Sequence, residues 1–221
     1  MTPALLILTD GRFPAGSHAH SSGMEAAVAA SRVRTLSDVE AFLRGRLHTN
    51  GPIMAAFTAA AHLAVAQLQG DGLSVLDAEL DARMAGQALR LASRKQGKAL
   101  LRAGRNTWPS PLFALLGSDP HHALALGVTA AAAGLSTYDS AIAAVYSVVT
   151  GPASAAVRLL GLDPYQVQRL LARLASKLDS LATAAVEDAC RAPEDLPDWA
   201  APLSDIAAEQ HATWEVRLFA S

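Results

Sequence analysis

The stretch that opens Asp163-Pro164-Tyr165-Gln166 most constrains what this chain can fold into. Asp163 is placed to cap a helix, proline is favoured at the first helical position, and Gln166 stands where a side chain reaches back to the cap. Behind it, Val167, Leu170, Leu171, Leu174, Leu178, Leu181, Ala185 and Val186 recur with a helical period, while Arg169, Arg173 and Lys177 fall off the stripe. Such a stripe must bury against other elements. Helix signals of this kind recur along the chain, and no run alternates as a strand does. The chain therefore reads as all-α, a single-domain bundle of roughly eight to ten helices.

The other helices are read from punctuation. Ser37 and Glu40 suggest a capping box for a helix that ends near His48, before Gly51-Pro52. An apolar helix is expected from Ile53 to Leu68, stopped by Gly70 and Gly72, and a shorter acidic one from Leu73 to Met84. Gln87 to Asn106 follows, with Arg90, Arg94, Lys98, Arg102 and Arg105 on one side and Lys95 beside them. That side reads as a solvated face, with an acidic partner surface as the alternative. Asp119 and Pro120 are expected to start the next helix and Gly134 to end it. Thr137 to Leu160 is expected to kink or break at Pro152. From Arg191 prolines and acids replace periodicity, so residues 1–190 read as the helical domain. Residues 191–221 read as a Pro-rich linker and flexible C-terminal tail, with a short helix from Ser204 to His211.

Composition narrows function. The chain has 221 residues and is 51% hydrophobic but only 5% aromatic, which suits closely packed Ala- and Leu-rich helices. Its 18 basic and 20 acidic residues leave a formal net charge of -2, which supplies no electrostatic footprint for nucleic acid or an anionic membrane. The uncharged stretches Pro120–Tyr138 and Ser140–Val157 approach bilayer length, but their Ala, Ser, Thr and Gly content suits buried helices better. Cys190 is the single cysteine, consistent with a reducing, cytoplasmic compartment. Ala4 to Leu8 is too short for a signal-peptide core.

Motifs for chemistry are absent: no P-loop, no H-E-x-x-H, no Cys-x-x-Cys and no G-x-S-x-G. Seven histidines are present. His18 and His20 are candidate metal ligands but form an incomplete shell, better read as part of a packed turn. His121 and His122, in a first helical turn, read as neutral surface residues. The segment from Gly11 to Ala27 gathers Pro14, Gly16, Ser21, Ser22 and Gly23 ahead of a helix carrying Glu25, which Ser21 or Ser22 can cap.

That segment resembles the N-terminal signature of the UreF family, through Pro14, Gly16, His18, His20, Ser21, Gly23, Met24 and Glu25. The end of the chain is similar as well, through Asp205, Ile206, Ala207, His211, Arg217, Leu218, Phe219 and Ser221. Between them, Ser93, Gly97 and Leu101 match a family helix motif. The chain departs from the family pattern at His18, where an aromatic is usual, at Gln210 and Ala212, and at Leu160 to Asp163.

The resemblance implies an all-helical, homodimeric, non-enzymatic chaperone. It would join the accessory protein UreD (also called UreH) and the GTPase UreG on apo-urease and help install nickel in a GTP-dependent way. It implies no tightly bound cofactor and at most transient nickel. The partner-binding residues it points to are Pro14, Gly16, His20, Ser21, Gly23, Glu25, Asp205, His211 and Arg217, with Leu218 and Phe219 as apolar anchors. The rival readings are a nickel carrier using His18 and His20, and a helical-bundle enzyme using His20 and Glu25 as an acid–base pair.

Overall fold

The computed structural model describes residues 2–67 and 70–221, without the side chains of Ser17, Gly70 and Asp71. Among these residues the regular structure is helical throughout, with ten α-helices and no strand. They are α1 (Pro3–Thr9), α2 (Met24–Ala29), α3 (Leu36–His48), α4 (Asn50–Ala66), α5 (Gly70–Arg83), α6 (Gln87–Thr107), α7 (His122–Ala132), α8 (Thr137–Leu160), α9 (Pro164–Asp188) and α10 (Pro202–Ala212).

The core is built around α4. Its sequence is apolar on every side, and it packs against α5, α7, α8 and α9. Alanine and glycine let these backbones approach closely. A Cβ on Gly127 of α7 would sit 2.3 Å from the Thr58 carbonyl of α4, so only glycine fits there. Buried polar groups at this contact are satisfied: Thr58 Oγ1 donates to the Ala123 carbonyl, and His62 Nε2 binds the Leu135 carbonyl at 2.8 Å. The stripe on α9 buries Val167, Leu170, Leu174, Leu178, Ala182 and Ala185, as its period requires. α8 is long and apolar enough to cross a membrane, but 61% of its apolar window is buried against the other helices.

Several boundaries differ from the sequence-based expectation, each for a local reason. The capping box of α3 uses Thr35 and Asp38, not Ser37 and Glu40. Ser37 already lies inside the helix, and Glu40 instead accepts hydrogen bonds from Arg44 and Arg173. The expected end of α4 at Leu68 lies outside the described residues, and Gly70 opens α5 rather than stopping the helix before it. α7 begins at His122, because Arg94 donates to the Asp119 carbonyl and Lys98 pairs with the Asp119 carboxylate, holding Asp119-Pro120 against α6.

α8 runs through Pro152 without a break. The Val148 carbonyl, which Pro152 cannot serve, accepts a hydrogen bond from Arg46 Nε at 3.3 Å. The basic side of α6 is also not a plain solvated face. Arg94 pairs with Asp77 and Asp81 of α5, at 3.0 and 2.8 Å, and Arg90 with Asp81, so the acidic partner surface is within the chain.

Residues 191–221 join the same body. Arg83 donates to the carbonyls of Pro193, Glu194, Leu196 and Pro197, which ties the Pro-rich segment to α5. α10 then packs on α6 and α2.

Candidate functional site

The N-terminal segment turns sharply before α2. Gly16 and Gly23 adopt φ of 74° and 87°, and Ser22, directly before Gly23, adopts φ 53°. Glycine takes such angles without a Cβ penalty, so Gly23 fits the residue preceding α2. The turn presents His20, Ser21 and Glu25 to the last residues of the chain, which lie across it. Ser21 is fully buried, Glu25 and His211 nearly so.

Glu25 is the centre of this clasp. Its carboxylate accepts hydrogen bonds from the amides of Leu218 and Phe219, at 2.7 and 3.1 Å, and from His211 Nε2 at 2.8 Å. Burial by itself would raise the Glu25 pKa. The Leu218 amide, the His211 ring and the Phe219 amide outweigh that and hold it below the usual carboxylate value. Ser21 contributes on two sides. Its hydroxyl and amide both donate to the Ser221 carbonyl, at 2.9 and 2.6 Å, while its Oγ also accepts from the Glu25 amide. His20 Nδ1 lies 2.6 Å from Ser221 Oγ, and the Ala220 amide donates to the Ala19 carbonyl.

The tail is thus fastened to its own fold rather than free. Phe219 is buried, with the Arg158 guanidinium 4.6 Å above its ring. It fills a pocket of this chain, so it is not exposed as an anchor for a partner, whereas Leu218 remains 68% exposed. Arg217 reaches back to the His211 carbonyl, and Trp214 packs on the His211 ring at 4.7 Å. Asp205 accepts from the Gly86 amide, joining α10 to the start of α6. Pro14 is exposed and has no hydrogen bond to the clasp among the described residues. Leu203, Ile206, Val216 and Leu218 leave apolar side chains in solvent on α10 and the tail.

The structure brings His20, Ser21, Glu25, His211 and the Leu218-Phe219 backbone together. It does not join His20 to Glu25: the carboxylate is engaged by His211 and the tail amides, which removes the geometry of an acid–base pair. No cluster of three or more metal-ligating side chains exists among the described residues. Among the described residues His18 and His20 have no third ligand beside them.

Two placements escape sequence reading. His121 is fully buried, with Nδ1 3.0 Å from Ser93 Oγ and Nε2 3.0 Å from Asp81, so it is a structural pin between α5, α6 and α7 rather than a surface residue. Gly97 completes that joint, since a Cβ there would meet the Pro120 carbonyl at 2.0 Å. The Ser93–Gly97–Leu101 spacing is thus the footprint of α7 on α6. Arg46, near the turn, donates to the Ser22 and Val148 carbonyls and has no carboxylate partner among the described residues. The one clue to it in the sequence is Pro152, which leaves a carbonyl needing a donor.

Comparison with known proteins agrees with the motifs. A family model described as UreF matches residues 33–175, between the two halves of the clasp. The urease accessory protein UreF of Mycobacterium sp. (strain JLS) is 41% identical, over 98% of this chain and 97% of its own length. That of Mycobacterium marinum (strain ATCC BAA-535 / M) is 42% identical over the same shares. That of Mycobacterium tuberculosis (strain ATCC 25618 / H37Rv) is 40% identical over 94% of this chain and 92% of its own. The first two of these relatives are matched over nearly the whole chain.

Proposed function

The chain belongs to the UreF family, and on that premise we propose that it is a non-enzymatic chaperone of urease maturation. It works with UreD (UreH) and the GTPase UreG on apo-urease, in a GTP-dependent complex that assembles the nickel centre. It acts in the cytoplasm as a homodimer, and nickel visits it at most transiently.

One observation carries this reading. The two segments that resemble the family at its ends, far apart in sequence, form a single surface in which Glu25 holds the tail. On α10 and the tail, Leu203, Ile206, Val216 and Leu218 are exposed and apolar. A backbone clasp that fixes a tail carrying exposed apolar side chains suits protein docking, because burial of such side chains drives association. Leu218 is the apolar anchor on this reading, and Phe219 orients it from within the chain.

The test is a pull-down of the full-length chain with UreD and UreG, alongside the Leu218→Asp and Val216→Asp double variant. Both side chains are solvent-exposed, at 68% and 88%, so the variant folds. Capture of both partners by the native chain, with UreD lost from the variant, supports the proposal. Equal capture by both would remove the tail surface from the interface, and capture by neither would refute the assembly.

A further inference from the structure

Arg46 of α3 bridges two parts of the molecule that share no element. Its Nη1 donates to the Ser22 carbonyl at 3.0 Å, in the turn before α2, and its Nε to the Val148 carbonyl of α8 at 3.3 Å. Burial lowers its pKa only to about 10, so the guanidinium stays charged at neutral pH and both bonds are charge-assisted. Each acceptor needs the bond for its own reason. Pro152 has no N–H for the Val148 carbonyl, which leaves that oxygen open on a helix that otherwise runs without a break. Ser22 sits at φ 53°, a left-handed conformation that is costly for an L side chain and persists where its surroundings fix it.

The same helix meets the turn at two more points. A Cβ on Gly151 would lie 3.8 Å from the His20 carbonyl oxygen and 3.9 Å from Ser22 Oγ, so α8 passes close to the turn there. Arg158, two turns further along α8, reaches the His18 carbonyl and lies over the Phe219 ring. Ser22 itself stands between the two residues that hold the tail. Ser21 before it donates through its amide and hydroxyl to the Ser221 carbonyl, and Glu25 after it accepts from the Leu218 and Phe219 amides. A shift of the Ser22 peptide therefore moves both halves of the grip on the tail.

We propose that Arg46 is the positioning residue of the clasp: by bridging the Ser22 and Val148 carbonyls it seats the turn on α8 and so sets where the tail is held. Its consequence for partner capture rests on the docking role of the tail proposed above; the seat itself does not.

Hydrogen exchange on the full-length chain tests the seat. In Arg46→Met the Leu218 and Phe219 amides should exchange about tenfold faster or more, while amides within α4 and α9 stay within about twofold of their native rates. Adding Ser22→Gly to Arg46→Met should recover roughly two- to fivefold of the lost protection, because glycine holds the left-handed angle unaided. A purely structural role for Arg46 would not give that rescue. Gly151→Val leaves Arg46 in place and wedges the turn away from α8, so it carries the test should Arg46→Met fail to fold; faster exchange confined to the tail is again expected. Unchanged tail exchange in Arg46→Met or in Gly151→Val would overturn the proposal. So would protection lost equally from the tail, α4 and α9, or Arg46→Met tail exchange that Ser22→Gly does not slow. A pull-down with UreD separates this from the docking reading. Capture by the native chain that falls with Arg46→Met extends the seat to partner binding, whereas no capture by the native chain refutes the docking reading and leaves exchange to decide the seat.

Discussion

Glu25 does more than any other single side chain to join the two ends of the molecule. It faces two backbone amides and an imidazole from a nearly dry position, and a carboxylate there makes charge-assisted bonds that an amide cannot replace. Glu25→Gln should therefore loosen the tail by about 1.5–3 kcal/mol. Hydrogen exchange at the Leu218 and Phe219 amides reads this directly, and roughly 10- to 100-fold faster exchange is the expected outcome. Unchanged protection would mean that Phe219 alone holds the tail. Acid should act in the same way. The Glu25 pKa is depressed in the fold, so its contribution is complete above the ordinary value of 4.5 and is lost as pH falls through the lower folded value. Trp214, packed on His211, gives a fluorescence signal for that release. The sequence carried Glu25, His211 and Ser21 as residues of interest but did not carry their mutual contact. Nothing local tells a carboxylate near residue 25 that its partners are amides near residue 218.

At the scale of elements, periodicity and punctuation carried most of the fold. The α9 stripe and its Asp163-Pro164 start are where the spacing places them, because that helix is amphipathic and its cap is local. Boundaries failed where a tertiary contact outweighed a local signal. Asp119-Pro120 has the chemistry of a helix start, yet Arg94 and Lys98 hold it outside the helix. The basic side of α6 has the spacing of a solvated face, yet α5 presents Asp77 and Asp81 to it. Pro152 has the chemistry of a breaker, yet Arg46 serves the carbonyl that it leaves open. The α4–α7 contact supplies a direct prediction. Gly127→Ala places a methyl group against the Thr58 carbonyl, with no flexible side chain to yield. Thermal unfolding should show a loss of at least about 1–3 kcal/mol, the usual range for an overpacked core. An unchanged midpoint would mean that α4 and α7 can separate freely, which their polar pins argue against.

The whole molecule is a bundle whose interior tolerates polar groups because each finds a partner; no buried side-chain nitrogen or oxygen is left without one among the described residues. It also keeps four histidines neutral. Burial is the leading cause of the lowered pKa of His20, His62, His121 and His122, and for His122 the value is about 4 against an ordinary 6.5. Between those values the unfolded chain binds protons that the fold refuses, so stability should rise with pH across that interval. Melting at pH 7.5 should lie above melting at pH 5, and a midpoint independent of pH would contradict the neutral assignment. That pattern was half legible: the first-turn position of His121 and His122 pointed to neutral rings, but not to burial.

The clasp links these scales to function. Residues from both ends of the chain meet in the clasp, and under the proposed function that meeting fixes the tail side chains that would engage partners. Nickel loading of apo-urease in the presence of UreD, UreG and GTP, with and without this chain, tests that account most directly. The account predicts active, nickel-containing urease only when the chain is added, with activation sharply reduced by the Leu218→Asp and Val216→Asp double variant. Equal activation without the chain would contradict it.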